Sequence, residues 1–214
     1  MNDLRYTLVS DGSSDASLLP ILDWLLVENG VTLSIRSAWA DLGSIQLPKR
    51  PSLSDKIRIS LEVYPCNLLF VHRDAESQSR EMRVDEIRRA LSDLAASPPV
   101  VCGVPVRMQE AWLLIDEDAL RWAAGNRRYS GKLAMPPISQ LEELANPKDI
   151  LYDLLTQVCD LNRRRKRRFP VHAYARRVSE NIHDFSALRR LNAFNALEEE
   201  IRAAIESHQW NQVR

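Results

Sequence analysis

Short apolar runs alternate with helix-patterned segments along the first 106 residues, and this alternation constrains the fold more than any other feature. The strand-like runs cover residues 4–10, 31–38, 67–71 and 100–106. The segments between them carry apolar residues at helical spacing, as Leu18, Leu22 and Leu25 do. The order β-α-β-α-β-α-β predicts an α/β fold with a mostly parallel four-stranded sheet and helices on both faces. Right-handed crossovers would bring the carboxyl ends of the strands to one edge of that sheet.

After residue 107 the pattern changes to helical. Asp116 and Gly125 bracket a short helix, and further helices are expected near residues 138–145, 147–160, 171–182 and 191–207. The change in pattern predicts an α/β domain over residues 1–115 and a helical extension over residues 116–214. We expect the extension to pack on the first domain.

Composition narrows the location and the class of the protein. The longest apolar stretch, Leu18 to Val27, is interrupted by Asp23 and is too short to cross a bilayer, so no membrane association is expected. Cys66, Cys102 and Cys159 form no paired motif, which favours the reducing cytoplasm. The chain has no glycine-rich phosphate loop and no dinucleotide fingerprint, so ATP or NAD binding has no support.

Acidic residues follow the first and third predicted strands. Asp11 comes directly after the first strand, Asp15 lies four residues later, and Asp74 follows the third strand. His72 and Glu76 would share the face of Asp74 if the third strand continues that far. Carboxylate oxygens are ligands that Mg²⁺ and Mn²⁺ prefer. The set therefore predicts a metal site that could activate water for attack on a phosphodiester.

Structural roles are an alternative for the same acidic residues. Asp11 and Gly12 form a turn signal, and Asp15 in the first turn would favour the dipole of the following helix. Asp74 can equally be a solvated loop residue. Because the features recur at two strand ends, neither interpretation is preferred at this point.

The two acidic segments resemble motifs of the Toprim fold, which occurs in bacterial primases, topoisomerases and OLD-type nucleases. Residues 8–15 read L-V-S-D-G-S-S-D, and residues 71–74 read V-H-R-D. Toprim proteins carry a Glu after the first strand and D-x-D after a later one, so Asp11 and His72 depart from the pattern. Imidazole suits Mn²⁺ better than Mg²⁺. Either the metal preference has shifted, or the site has lost activity and remains as a binding surface.

A third segment extends the resemblance. Residues 104–116 read V-P-V-R-M-Q-E-A-W-L-L-I-D, similar to the P-x-x-x-x-E-A-W-L-L-x-D stretch of Toprim-like bacterial proteins often encoded beside ATPases in phage-defence loci. Residues 146–148, N-P-K, and 185–191, F-S-A-L-R-R-L, resemble the tail of that group. The resemblance implies that Glu110 lies near the metal and that Lys148 stabilises the charge of a phosphorane. The structural alternatives are a helix residue at the sheet edge for Glu110 and a solvated first-turn lysine for Lys148.

A basic segment lies in the helical half. Residues 161–177 hold eight basic side chains and no acidic one: Arg163, Arg164, Arg165, Lys166, Arg167, Arg168, Arg176 and Arg177. Arginine forks bind phosphate, and such a run would release counterions on binding nucleic acid. A solvated helix connector and a face for an acidic protein are the alternatives. The predicted phosphate chemistry favours nucleic acid.

The sequence as a whole predicts Mg²⁺- or Mn²⁺-dependent cleavage of nucleic-acid phosphodiesters by a Toprim-type nuclease. The expected main metal ligands are Asp11, Asp15 and Asp74, with His72, Glu76 and Glu110 as helpers. The alternative is a catalytically degenerate Toprim-like subunit that binds nucleic acid or a partner ATPase. The resemblance implies a role in phage defence for either one.

Overall fold

Four parallel strands form the sheet on which the rest of the fold packs. The computed structural model describes residues 3–75, 78–106, 108–159 and 171–212. The strands are β1 (Asp3–Val9), β2 (Ser34–Trp39), β3 (Leu68–His72) and β4 (Val100–Gly103). Their order in the sheet is β2-β1-β3-β4, and all three pairings are parallel. The predicted α/β class and four-stranded parallel sheet are confirmed.

Helices connect the strands and make up the second half of the chain. The α-helices of the described residues are α1 (Leu19–Glu28), α2 (Leu53–Val63), α3 (Arg80–Ser92), α4 (Glu117–Ala123), α5 (Pro147–Val158), α6 (Val171–Asn181) and α7 (Asn192–His208). Gly30 ends α1 with a φ of 87°, as the Asn-Gly signal predicts. Across the described residues, no helix has both the length and the apolar character needed to span a membrane.

Three expected elements differ in the structure. The second strand begins at Ser34 instead of residue 31, because the backbone N–H groups of Val31 and Thr32 donate to Leu26 and Trp210 outside the sheet. The fourth strand stops at Gly103 instead of residue 106, two residues before Pro105, which has no backbone N–H to donate to the sheet. The helix expected over residues 138–145 is a short 3₁₀ helix, Ile138–Glu143, which directly follows Pro137.

The alternating side chains of the strands supply two hydrophobic cores, one on each face of the sheet. Leu8 and Phe70 point to the face that α1 and the C-terminal helices cover, where they join residues such as Leu155 and Phe194. The other face packs against α2 and α3 through residues such as Ile57. The first core therefore contains residues from both halves of the chain. The domain boundary between residues 115 and 116 stays a prediction.

The edge strand β4 is covered by α7. Glu200 of α7 accepts a hydrogen bond from the backbone N–H of Cys102 at 2.8 Å. The same carboxylate pairs with Arg80 at 2.7 Å, which ties α3 to α7. Burial and the neighbouring Glu200 raise the pKa of the Cys102 thiol to about 12, so this thiol stays protonated at neutral pH. A covered edge cannot pair with a strand of another chain.

A buried carboxylate joins the helical half to α1. Glu198 of α7 accepts three hydrogen bonds from Arg189, at 3.2, 2.9 and 2.7 Å, and one from Asn29 at 3.1 Å. These bonds, chiefly those from Arg189, hold the pKa of Glu198 below its ordinary value. The ionised form of Glu198 is therefore the one that the fold stabilises.

We predict that Glu198→Gln lowers the free energy of unfolding by about 1–2 kcal/mol at neutral pH, since it weakens charge-assisted bonds. Because the folded-state pKa is lowered, this contribution is present above the unfolded pKa of about 4.3 and is lost as the pH falls through the folded value. Denaturant unfolding of wild type and Glu198→Gln at several pH values measures this contribution to the free energy of unfolding. The matched control is Glu199→Gln, which removes an exposed carboxylate from the same helix. Equal stability of the two variants at neutral pH would contradict the prediction.

Candidate functional site

The carboxyl ends of β1 and β3 lie side by side and determine which residues meet at the edge of the sheet. Val9 is paired with Val71 in the parallel register. Asp11 and Arg73 lie two residues beyond this pair, past the ends of the two strands, and their side chains form an ion pair. Ligand sites in parallel sheets usually form at this edge.

A cleft of about 320 Å³ opens at this edge. It is lined by Asp11, Gly12, Asp15, His72, Arg73, Asp74 and Arg83. Four of the predicted site residues are thus brought together. Glu76 lies outside the described residues.

Asp11 is held by two cations. Its Oδ1 accepts a hydrogen bond from Lys56 Nζ at 2.7 Å, and its Oδ2 accepts one from Arg73 Nη1. Lys56 comes from the first turns of α2, and Arg73 directly follows β3. Both carboxylate oxygens of Asp11 are therefore engaged by positive charge.

Further charges fix the two arginines of the cleft. Arg73 also pairs with Glu86 of α3 at 3.1 Å. Arg83 pairs with the same Glu86 at 2.8 Å and donates a hydrogen bond to the backbone carbonyl of Asp74 at 3.0 Å. Lys56, Arg73 and Arg83 were not predicted from the sequence. Arg73 carried a usable signal, because it stands inside the V-H-R-D segment.

Asp15 is a buried structural residue. Its Oδ2 accepts a hydrogen bond from the backbone N–H of Gly12 at 3.0 Å, which caps the 3₁₀ helix Ser13–Leu18. Its Oδ1 accepts bonds from Ser14 Oγ at 3.1 Å and from Gln109 Nε2 at 2.8 Å. The structural alternative for Asp15 is therefore supported by direct contacts.

His72 is fully buried between two acceptors. Its Nδ1 lies 2.9 Å from the carbonyl oxygen of Gly103, and its Nε2 lies 3.3 Å from Asp74 Oδ1. Burial lowers the pKa of His72, but the carboxylates of Asp74 and Asp15 together with the Gly103 carbonyl outweigh it, so the pKa is raised. Asp74 Oδ1 is buried and has no aligned hydrogen-bond partner among the described residues.

Glu110 and Lys148 lie next to this cleft. Lys148 Nζ is 3.6 Å from Glu110 Oε1, and the Glu110 side chain is buried. Burial raises the pKa of Glu110, the charges of Asp74 and Asp15 raise it further, and Lys148 opposes them. The resemblance placed both residues near the acidic site, and the structure puts them there as an ion pair.

The side chains of the cleft do not fit a preformed metal centre. Within the described residues, no group of three or more histidine, cysteine, aspartate or glutamate side chains is placed to hold a metal ion. Asp11 is ion-paired and Asp15 is hydrogen-bonded through both oxygens. Asp74 Oδ1 is buried and accepts no aligned hydrogen bond from the described residues. Four of the predicted ligands, Asp11, Asp15, His72 and Asp74, thus line one cleft without being arranged around one point.

The described part of the basic segment lies beside the cleft. Helix α6 packs against the 3₁₀ helix Ser13–Leu18 and against the 3₁₀ helix Gln109–Leu113, which carries Glu110. Arg176 and Arg177 are exposed on α6. Arg176 pairs with Glu180 at 3.1 Å, and Arg177 lies over the ring of Tyr174 at 5.1 Å. The run from Arg163 to Arg168 lies outside the described residues.

Comparison with models of protein families, with curated proteins and with solved structures finds no match to this chain. The resemblance to Toprim proteins therefore stays a prediction from the quoted motifs. The chemistry of the cleft has to be judged from its own contacts.

We predict that Asp15→Asn lowers the free energy of unfolding by about 1–3 kcal/mol, because an amide nitrogen would face N–H and O–H donors that now bind a carboxylate. Asp11→Asn should change it by less than about 1 kcal/mol, since exposed ion pairs contribute little. Denaturant unfolding of both variants tests the difference. An Asp15→Asn protein as stable as wild type would show that the carboxylate is not structural.

Proposed function

We propose that this chain is a Toprim-like nucleic-acid-binding protein whose sheet-edge cleft contacts phosphate instead of holding a catalytic metal. The observation that carries the proposal is the double ion pair of Asp11 with Lys56 and Arg73. It corresponds to the degenerate-subunit alternative that the sequence left open. Docking on a partner ATPase follows from the resemblance alone and stays a prediction.

The ion pairs disfavour a divalent cation at the end of β1. A metal bound by Asp11 would lie within a few ångströms of Lys56 Nζ and the Arg73 guanidinium. At an effective dielectric constant of 20, two unit charges 4 Å apart interact by about 4 kcal/mol, so two fixed cations oppose a divalent ion strongly. Metal binding would therefore require both ion pairs to open first.

The position of α6 supports nucleic acid as the partner. Helix α6 carries the last two of the eight basic residues at 161–177. It packs against the 3₁₀ helix that contains Asp15. Helix α6 therefore contacts an element that lines the cleft, and it presents Arg176 and Arg177 to solvent. Arginine forks suit phosphate oxygens, and in this proposal one phosphate backbone reaches from α6 to the cleft.

We predict salt-dependent binding of single-stranded oligonucleotides that is weakened in the double variant Arg176→Gln/Arg177→Gln. Each phosphate that the variant no longer neutralises should reduce the slope of log affinity against log salt by about one. Fluorescence anisotropy at several salt concentrations measures both the affinity and the slope. The matched control is Arg88→Gln/Arg89→Gln, which removes two exposed arginines from α3 on the opposite face of the sheet. Equal decreases in affinity in the two double variants would contradict a specific role for α6.

Metal-dependent cleavage remains the second candidate because the buried Asp74 Oδ1 has no aligned hydrogen-bond donor in the described part of the chain, although His72 Nε2 lies 3.3 Å away. A buried carboxylate oxygen without an aligned donor is costly unless a cation or a proton satisfies it. Asp74, with Asp15 and Glu76, would be the residues that hold Mg²⁺ or Mn²⁺. The metal would supply an activated water for phosphodiester hydrolysis.

Nicking of supercoiled plasmid with Mg²⁺ or Mn²⁺ distinguishes the two candidates. If the cleft contacts phosphate without a metal, wild type should show no nicking above the buffer control. Nicking that disappears in Asp74→Ala but persists in Asp85→Ala, an exposed residue of α3, would establish the second candidate in its place.

A further inference from the structure

The carboxylate of Asp11 occupies a seat between two cations that come from separate elements. We define this Lys56–Arg73 seat by the two side chains that form ion pairs with Asp11. The Asp11 side chain is 47% exposed, whereas Lys56 and Arg73 are 22% and 19% exposed. The carboxylate is thus the most exposed of the three side chains, and the two cations are more buried.

We infer that the Lys56–Arg73 seat is a phosphate-binding site that the chain's own Asp11 occupies until a nucleic-acid phosphate replaces it. This inference rests on the proposed function and assigns one contact within it. A carboxylate and a phosphate each present two oxygens that a lysine and an arginine can share. Asp11 is therefore an internal competitor of the ligand.

The cations of the seat stay in place when Asp11 leaves. Arg73 is also bound to Glu86 at 3.1 Å, and Glu86 is bound in turn by Arg83 at 2.8 Å. Lys56 sits on α2 next to Ile57, which is buried in the second core. A phosphate would therefore meet donors that are already positioned, which lowers the entropic cost of binding.

Asp11 is the carboxylate that the two cations of the seat share. When Asp11 leaves, Lys56 and Arg73 lose one negative charge between them, and an oxygen of an incoming phosphate restores it. The carboxylates of Asp15 and Asp74 line the same cleft and would repel an anion that moved further in.

Release of Asp11 needs a side-chain rotation only. Asp11 lies just beyond β1, and its backbone is not part of the strand ladder. Its two ion pairs are partly exposed, and such pairs are weak in water. A phosphate with a second negative charge, as at a 5′ end, would compete with Asp11 better than a phosphodiester.

The test is the affinity of the full-length chain for a 3′-labelled single-stranded oligonucleotide with a 5′ phosphate and for the same strand with a 5′ hydroxyl. Asp11→Asn should bind about five-fold more tightly, and Lys56→Gln about five-fold more weakly, since each changes one partly exposed charge contact. The gain in Asp11→Asn should vanish in the Lys56→Gln background, because the two positions share one seat. Inorganic phosphate should compete more strongly against Asp11→Asn than against wild type.

Matched controls separate this effect from net charge. Asp93→Asn and Arg89→Gln make the same charge changes at exposed positions near the far end of α3. If Asp11→Asn gains affinity only for the 5′-phosphorylated strand, the seat binds a terminal phosphate. If it gains affinity equally for both strands, the seat binds an internal phosphodiester. Asp11→Asn binding that is no tighter than that of Asp93→Asn overturns the inference.

Failure of the inference and failure of the proposed function have different signatures. Oligonucleotide binding that depends on Arg176 and Arg177 but not on Asp11 or Lys56 contradicts the seat and leaves the proposed function standing. If no variant binds oligonucleotide, but inorganic phosphate raises the melting temperature of Asp11→Asn more than that of Asp93→Asn, the seat stands and nucleic-acid binding fails.

Discussion

The parallel pairing of β1 with β3 is the constraint on which the whole cleft depends. β3 is buried along its full length, so its register against β1 is fixed by the cores on both faces of the sheet. That register sets Val9 beside Val71 and so brings Asp11 opposite Arg73. The pairing of β3 with β4 sets His72 beside Gly103, whose carbonyl oxygen lies 2.9 Å from the imidazole. A slip of one residue would turn these side chains to the wrong faces and dismantle the cleft.

The sequence predicted the sheet and its functional edge because apolar runs and turn residues are local signals. It also placed Asp11, Asp15, His72 and Asp74 at that edge, where the structure puts them in one cleft. It could not predict the partners of Asp11, since Lys56 lies 45 residues away and reaches it through the packing of α2. A general signal was available, however: a helix that follows a parallel strand after a loop begins at the carboxyl edge, so its first turns supply side chains to that edge.

The ion-pair and hydrogen-bond partners of the carboxylates determine what an acidic sheet edge can bind. The same carboxylates would attract a divalent cation if they faced one another, but here Asp11 faces two cations and Asp15 faces hydrogen-bond donors. His72 stands between Asp74 and the Gly103 carbonyl, with its pKa raised despite burial. The chain's own cations and donors therefore occupy the oxygens of Asp11 and Asp15 that a metal would need.

Isothermal titration of Mn²⁺ into the wild-type chain tests most directly whether the cleft lacks a metal site. We expect no saturable heat of binding up to millimolar Mn²⁺, because Asp11 and Asp15 are already satisfied within the fold. Saturable binding of one ion that is abolished in Asp74→Asn, but kept in Asp85→Asn, would contradict the claim. It would show instead that Asp74 holds a metal at this edge of the sheet.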